Sequence, residues 1–289
     1  MTKIKISELF YSIQGEGRYM GVPSVFLRTF GCNFTCAGFG MPKGELSNER
    51  EQINPAEYNE YGQLPLVTTG CDSYASWDSR FKHLSPSRDI DSIVSDIMEL
   101  LPNKAWEEEH LVITGGEPLL GWQRAYPELL NHPKMQKLHE ITFETNGTQP
   151  LTSEFADYLE SWWWDGGKPG YGSDSRDREI TFSVSPKLSC SGHTTEEAIK
   201  PEVVAGYQEV GYVYLKFVIA TEEDAKEALE MTKRYREAGF NGPVYFMPVG
   251  GIESVYALNN RTVADLAMHN GVRYSDRLQV PLFKNAWAT

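Results

Sequence analysis

From residue 110 onward the chain repeats one unit: a short apolar run, a turn marked by glycine or proline, and a stretch whose apolar positions recur at helical spacing. Strand character at 110–114 ends in Gly115-Gly116-Glu117-Pro118, and a helix is predicted over 126–138. The strand at 140–144 ends in Thr145-Asn146-Gly147-Thr148 before a helix at 153–164. The strand at 180–184 runs into Ser185-Pro186-Lys187 before a helix at 195–207. Strands at 212–219 and 244–247 follow, with helices at 222–238 and 262–270 and a final strand or extended tail at 272–280. Ahead of these lie a lead-in at 1–10, a β-rich run at 24–30 and a helix at 90–101 that Asp89 can cap and Pro102 stops. Strands alternating with helices must run parallel, with right-handed crossovers. The expectation is an α/β fold: a partial (β/α)6-type barrel in one domain over 1–289, with its chemistry on the loops at the C-terminal strand ends. An N-terminal extension and two loop inserts, at about 37–70 and 165–178, complete it. Both inserts are rich in polar residues and glycine.

The strand at 24–30 leads directly into Gly31-Cys32-Asn33-Phe34-Thr35-Cys36, and a third cysteine, Cys71, follows the first insert. Thiols gathered there could close a zinc tetrahedron with a fourth ligand, form a disulfide in an oxidising compartment, or hold an iron–sulfur cluster with one iron left open. Cys190 stands alone after the Ser-Pro-Lys stretch and reads as a buried or incidental thiol. The six histidines lack metal-ligand spacing.

A chain of 289 residues needs no disulfide staples, so reduced thiols in a cytosol are favoured. No apolar run approaches membrane-helix length, and the N-terminus lacks a basic segment followed by an apolar one. The net charge of −13 argues against general binding to nucleic acid or anionic membranes. Trp162-Trp163-Trp164 reads as helix packing and a loop anchor.

The order of short motifs is more specific. Phe10-Tyr11-Ser12-Ile13-Gln14-Gly15-Glu16-Gly17, then Gly21-Val22-Pro23, Arg28 and Gly31-Cys32-Asn33, resembles the N-terminal signature of the 7-carboxy-7-deazaguanine synthase family. That family is a branch of the radical S-adenosylmethionine enzymes. The resemblance extends to Gly-Gly-Glu at 115–117, Glu144-Thr145-Asn146-Gly147, Ser183 to Lys187 and the closing Leu278-Gln279-Val280-Pro281. Cys32 and Cys36 form the first half of the superfamily's C-x3-C-x2-C pattern, but Phe39 stands where the last cysteine belongs. Cys71-Asp72-Ser73-Tyr74 resembles the usual continuation, so the third ligand has moved behind the insert, and Gly70 replaces the usual aromatic before it.

The resemblance implies a 4Fe-4S cluster on Cys32, Cys36 and Cys71, with S-adenosylmethionine bound near Gly70, Asp72, Gly115, Gly116, Glu117, Glu144, Thr145, Asn146, Ser183, Ser185, Pro186 and Lys187. Ser73 would place an oxygen on Mg2+. A pterin would meet Ile13, Gln14, Gly15, Glu16, Arg28, Thr114, Gln279 and Pro281. Glu16 suits paired N–H groups, and Arg28 can grip a carboxylate bidentately. The implied reaction converts 6-carboxy-5,6,7,8-tetrahydropterin to 7-carboxy-7-deazaguanine with loss of ammonia. It needs flavodoxin or ferredoxin as reductant, in a cytoplasmic homodimer. Two other readings are a radical activase acting on a partner protein and a zinc-binding module using Cys32, Cys36, Cys71 and Cys190.

Overall fold

The computed structural model describes residues 2–165 and 178–289. The insert expected at 165–178 lies, but for its two end residues, outside the described residues. Among the described residues nine strands form one sheet in the order β3-β1-β2-β4-β5-β6-β7-β8-β9. They are β1 (Lys3–Ile13), β2 (Pro23–Thr29), β3 (Ser87–Asp89), β4 (His110–Gly115), β5 (Glu140–Thr145), β6 (Glu179–Val184), β7 (Tyr212–Ile219), β8 (Val244–Pro248) and β9 (Arg273–Tyr274). From β2 to β9 every neighbouring pair is parallel, as the strand–helix alternation demands. The sheet stays open, with β3 and β9 at its edges. The N-terminal extension is β1, which pairs antiparallel with β2 and carries β3 on its other side.

The helices are α1 (Ile90–Leu100), α2 (Tyr126–Leu130), α3 (Ser153–Asp165), α4 (Thr195–Ala198), α5 (Pro201–Tyr207), α6 (Glu222–Glu237), α7 (Glu253–His269) and α8 (Gln279–Phe283). Asp89 caps α1 as expected, its carboxylate accepting from the Ser92 N–H. Prolines account for two departures. The helix expected over 126–138 stops at Leu130, and Pro133 opens a separate 3-10 turn. The one expected over 195–207 is cut in two by Pro201, which starts α5. Of the final strand or extended tail expected over 272–280, Arg273 and Tyr274 are strand, and the chain turns into α8 at Gln279. The helix expected at 262–270 begins nine residues earlier, at Glu253.

The insert at 37–70 forms no strand or α-helix, only 3-10 turns. Tyr61, Leu64 and Val67 pack with Tyr74, Phe81 and Trp287 in a cluster apart from the main core. No described helix is long and apolar enough to cross a membrane.

Candidate active site

Successive residues of a strand point to opposite faces, and in this sheet one face makes the core while the other makes a cavity wall. Leu27, Ile113, Phe143, Phe182, Leu215 and Phe246 are wholly buried in the main core. Their strand neighbours Arg28, Thr114, Glu144, Ser183, Lys216 and Met247 all line one cavity. Register sets Arg28 beside Thr114 and Glu144 beside Ser183, so the polar row crosses the sheet near the C-terminal strand ends.

The loops at those ends bring the thiols in. Cys32, Cys36 and Cys71 are free, line the cavity and pack together around Phe34, Phe39 and Ala198. Cys71 reaches the other two because the insert closes on its own base, with the Gly70 N–H donating to the Phe39 carbonyl at 2.7 Å. The chain thus returns to the position where a compact motif would carry its third cysteine. Burial pushes the Cys32 thiol up to about 12 and raises the other two, so ligation would have to draw the protons off. Donors for thiolates stand ready: the Phe34 N–H is 3.4 Å from Cys32 Sγ, and Trp77 Nε1 is 3.3 Å from Cys71 Sγ.

Among the described residues no three metal-ligating side chains close around a point the size of one ion. Zinc would need its sulfurs about 2.3 Å from a single centre. Three free thiols on one cavity wall suit an iron–sulfur cluster, which is held by Cys thiolates. Cys190 is partly buried, packs against the main core and does not line the cavity.

Gly115 and Gly116 face the cavity, and a Cβ on Gly116 would sit 2.5 Å from the Gly31 carbonyl oxygen and 2.7 Å from Cys32 Cβ. Only glycine lets this loop close on the cysteine loop. Glu117 is wholly buried and lies behind the wall. Its carboxylate accepts from Leu119 N at 3.1 Å, Thr145 Oγ1 at 2.8 Å and Asn146 N at 2.7 Å, yet burial still pushes it up to about 7. It braces the turn that presents Thr145 and Asn146. Ser185 and Lys187 line the cavity, Lys187 Nζ donating to Ser185 Oγ at 3.0 Å, whereas Pro186 stands outside the wall. Gly70, Asp72 and Ser73 border the thiols, with Ser73 Oγ 3.4 Å from Cys71 Sγ.

Ile13, Gln14, Gly15, Glu16 and Gln279 line the same cavity, and Pro281 does not. Gln14 Nε2 donates to Glu144 Oε1 at 3.1 Å, and Gln14 Oε1 accepts from the Glu16 N–H at 2.9 Å. Glu16 is engaged by the expected Gln279 and by two cations, Lys216 and Arg277, that motif reading missed. One oxygen pairs with Lys216; the other accepts from Arg277 Nε at 3.1 Å and Gln279 Nε2 at 2.8 Å. Burial alone would raise the Glu16 carboxyl, but the two cations outweigh it and bring it down to about 2. Arg277 also reaches Asp72 at 2.6 Å. Arg28 Nε pairs with Glu8 at 2.8 Å, a second missed partner. A signal for Lys216 was available: it is the one charged residue in the apolar strand Tyr212–Ile219, in phase with the cavity face.

No protein-family model matches the chain. Its fold resembles the crystal structure of QueE from Escherichia coli, with a TM-score of 0.54 at 19% identity over 96% of this chain and 94% of that one. The 7-carboxy-7-deazaguanine synthase of Halobacterium salinarum is 29% identical across 98% of this chain and 91% of its own length. That of Pyrobaculum aerophilum is 25% identical across 98% and 96%. The synthase of Bacteroides thetaiotaomicron is 41% identical, but over 51% of this chain. The open sheet with its motif loops at the strand ends is the fold that this chain shares with that QueE structure. Across nearly its whole length the chain is similar to 7-carboxy-7-deazaguanine synthases.

Proposed function

We propose that the protein is a radical S-adenosylmethionine lyase that converts 6-carboxy-5,6,7,8-tetrahydropterin to 7-carboxy-7-deazaguanine with loss of ammonia, residues 1–289 acting as one domain. The observation that carries this reading is the meeting of three free thiols and a buried polar row in one cavity, with Cys190 left out of it. Cys32, Cys36 and Cys71 would hold the 4Fe-4S cluster. Gly115, Gly116, Thr145, Asn146, Ser183, Ser185 and Lys187, with Gly70, Asp72 and Glu144, would border S-adenosylmethionine. When bound, these two groups supply the electron and the radical that takes a hydrogen from C6 of the pterin.

The chain's own share is to orient substrate and exclude water. Arg28 offers a fork for the pterin carboxylate, beside Thr114. Gln14, Glu16 and Gln279, with Ile13 and Gly15, face the amide and amidine edge. Glu16 is held ionised there by Lys216 and Arg277, so it is an acceptor at neutral pH. Glu117 acts from behind the wall, bracing the turn at Asn146. Ser73 is the oxygen offered to Mg2+. A flavodoxin or ferredoxin would deliver the electron, and the enzyme would work as a cytoplasmic homodimer.

Anaerobic reconstitution tests this. The expected result is about four irons with sulfide per chain and, with reductant, S-adenosylmethionine and the carboxylated tetrahydropterin, 7-carboxy-7-deazaguanine seen by mass spectrometry. One zinc per chain, or a loaded enzyme that leaves this pterin untouched, overturns the reading.

A further inference from the structure

Beyond α8 the chain does not drift away. Residues 285–289 run back along the cavity and line it together with Arg28. Lys284, Asn285 and Ala288 all adopt left-handed backbone, with φ of 57°, 54° and 62°. Three such residues without glycine persist only where surrounding bonds over-determine the path. Those bonds are present. Asn285 Nδ2 donates to the Gly251 carbonyl at 2.7 Å, and Trp287 Nε1 donates to the Leu64 carbonyl at 2.7 Å. The Trp287 ring stands edge-on to Tyr61 at 4.8 Å and to Tyr74 at 6.0 Å, inside the small core of the insert. The Ala288 N–H donates to Glu8 Oε1 at 3.0 Å.

The other oxygen of Glu8 accepts from Arg28 Nε at 2.8 Å. Glu8 lies directly opposite Arg28 on the antiparallel β1–β2 pair, just past a register shift between Ile6 and Glu8 that turns β1 at this point. Among the described residues none accepts a hydrogen bond from the two terminal nitrogens of Arg28. Glu8 therefore holds one edge of the guanidinium and leaves the other for an anion, for as long as Ala288 keeps its second oxygen occupied. If the strap leaves, that oxygen is free to swing onto Arg28 and form a bidentate pair, which takes up a nitrogen the anion needs.

We infer that Glu8 is a positioning residue that couples the Arg28 anion site to a strap at 284–289, and that Trp287 latches this strap onto the insert. The inference rests on the reading that Arg28 takes the pterin carboxylate.

The test compares 6-carboxypterin with pterin lacking the carboxylate, by equilibrium dialysis against the reconstituted enzyme with S-adenosylmethionine. Wild type prefers 6-carboxypterin. Glu8→Ala and Trp287→Ala weaken 6-carboxypterin about tenfold, the loss of about one charge-assisted bond, and change pterin less than about twofold. Trp287→Phe, which keeps the ring and loses the N–H, falls between. Trypsin cutting after Lys284, read by mass, is slowed by 6-carboxypterin and not by pterin. Variants that weaken both ligands equally, or that keep the full preference, overturn the coupling alone. A wild type with no preference overturns the substrate reading and the coupling with it.

Discussion

Replacing Lys216 by methionine is the sharpest test of the buried charge cluster. The substitution keeps most of the volume on β7 but leaves Glu16 with Arg277, which it shares with Asp72, as its remaining close cation. Burial works against the Glu16 charge, and Lys216 is the largest influence in its favour, ahead of Arg277. The fall of Glu16 from 4.5 to about 2 corresponds to about 3 kcal/mol of stability. Because the carboxyl is depressed in the folded state, that contribution is present above pH 4.5 and is lost as pH falls toward about 2. Breaking a buried pair from one side costs about 3–5 kcal/mol when the survivor is stranded. Here Arg277 and Gln279 remain, so Lys216→Met is expected to lose about 2–4 kcal/mol at pH 7. Urea unfolding across pH 3 to 7 measures it. The gap to wild type should narrow on acidification, as Glu16 protonates sooner in the variant. Adding Glu16→Gln should recover at least about 1 kcal/mol, since it removes the stranded charge. A loss below about 0.5 kcal/mol, within the range of ordinary surface changes, or no recovery in the double variant, would refute the argument.

Gly15→Ala would drive a Cβ to 1.8 Å from Gln279 Oε1 and 3.0 Å from the Gln279 N. It should cost about 1–3 kcal/mol and speed hydrogen exchange at Leu278 N–H, which donates to the Gly15 carbonyl. Cys71→Ala should strip iron and sulfide from the reconstituted protein while Cys190→Ala leaves both at wild-type content; the reverse pattern would move the cluster ligand. Arg28→Lys keeps a cation against buried Glu8 but loses the fork. Steady-state kinetics should show kcat/KM down about 10–100-fold, mostly through KM, and an unchanged KM would remove Arg28 from the carboxylate.

The parallel order of the sheet was legible because each unit carries its own local evidence: apolar runs, a glycine or proline turn, then helical spacing. What local pattern could not supply was the exact length of helices with weak faces. In α7 the described burial rests on Tyr256, Val263 and Ala267, while Leu258 and Met268 are exposed, so its first two turns look like loop. The tail beyond Tyr274 failed for a different reason. Val280 is buried but Leu282 and Phe283 are exposed, so apolar character there marks the docking of α8 rather than a strand.

The site divides along the same physical line. Residues that sit on a strand end next to a glycine motif were readable, because the motif and the cavity are one local object. Lys216 and Glu8 were not, since each matters through a partner: Glu16 lies 200 positions from Lys216, and Arg28 lies 20 from Glu8. Motif spacing carries no information about such pairs; strand phase does. Glu8, Glu144 and Lys216 each fall on the cavity-facing phase of their strand, as Arg28 does on β2, and all line this cavity. The displaced cysteine follows the complementary rule. A loop residue is not bound to strand register, so the insert could lengthen the gap from Cys36 to Cys71 freely. One requirement remained, that its ends meet, and the Gly70 N–H on the Phe39 carbonyl meets it.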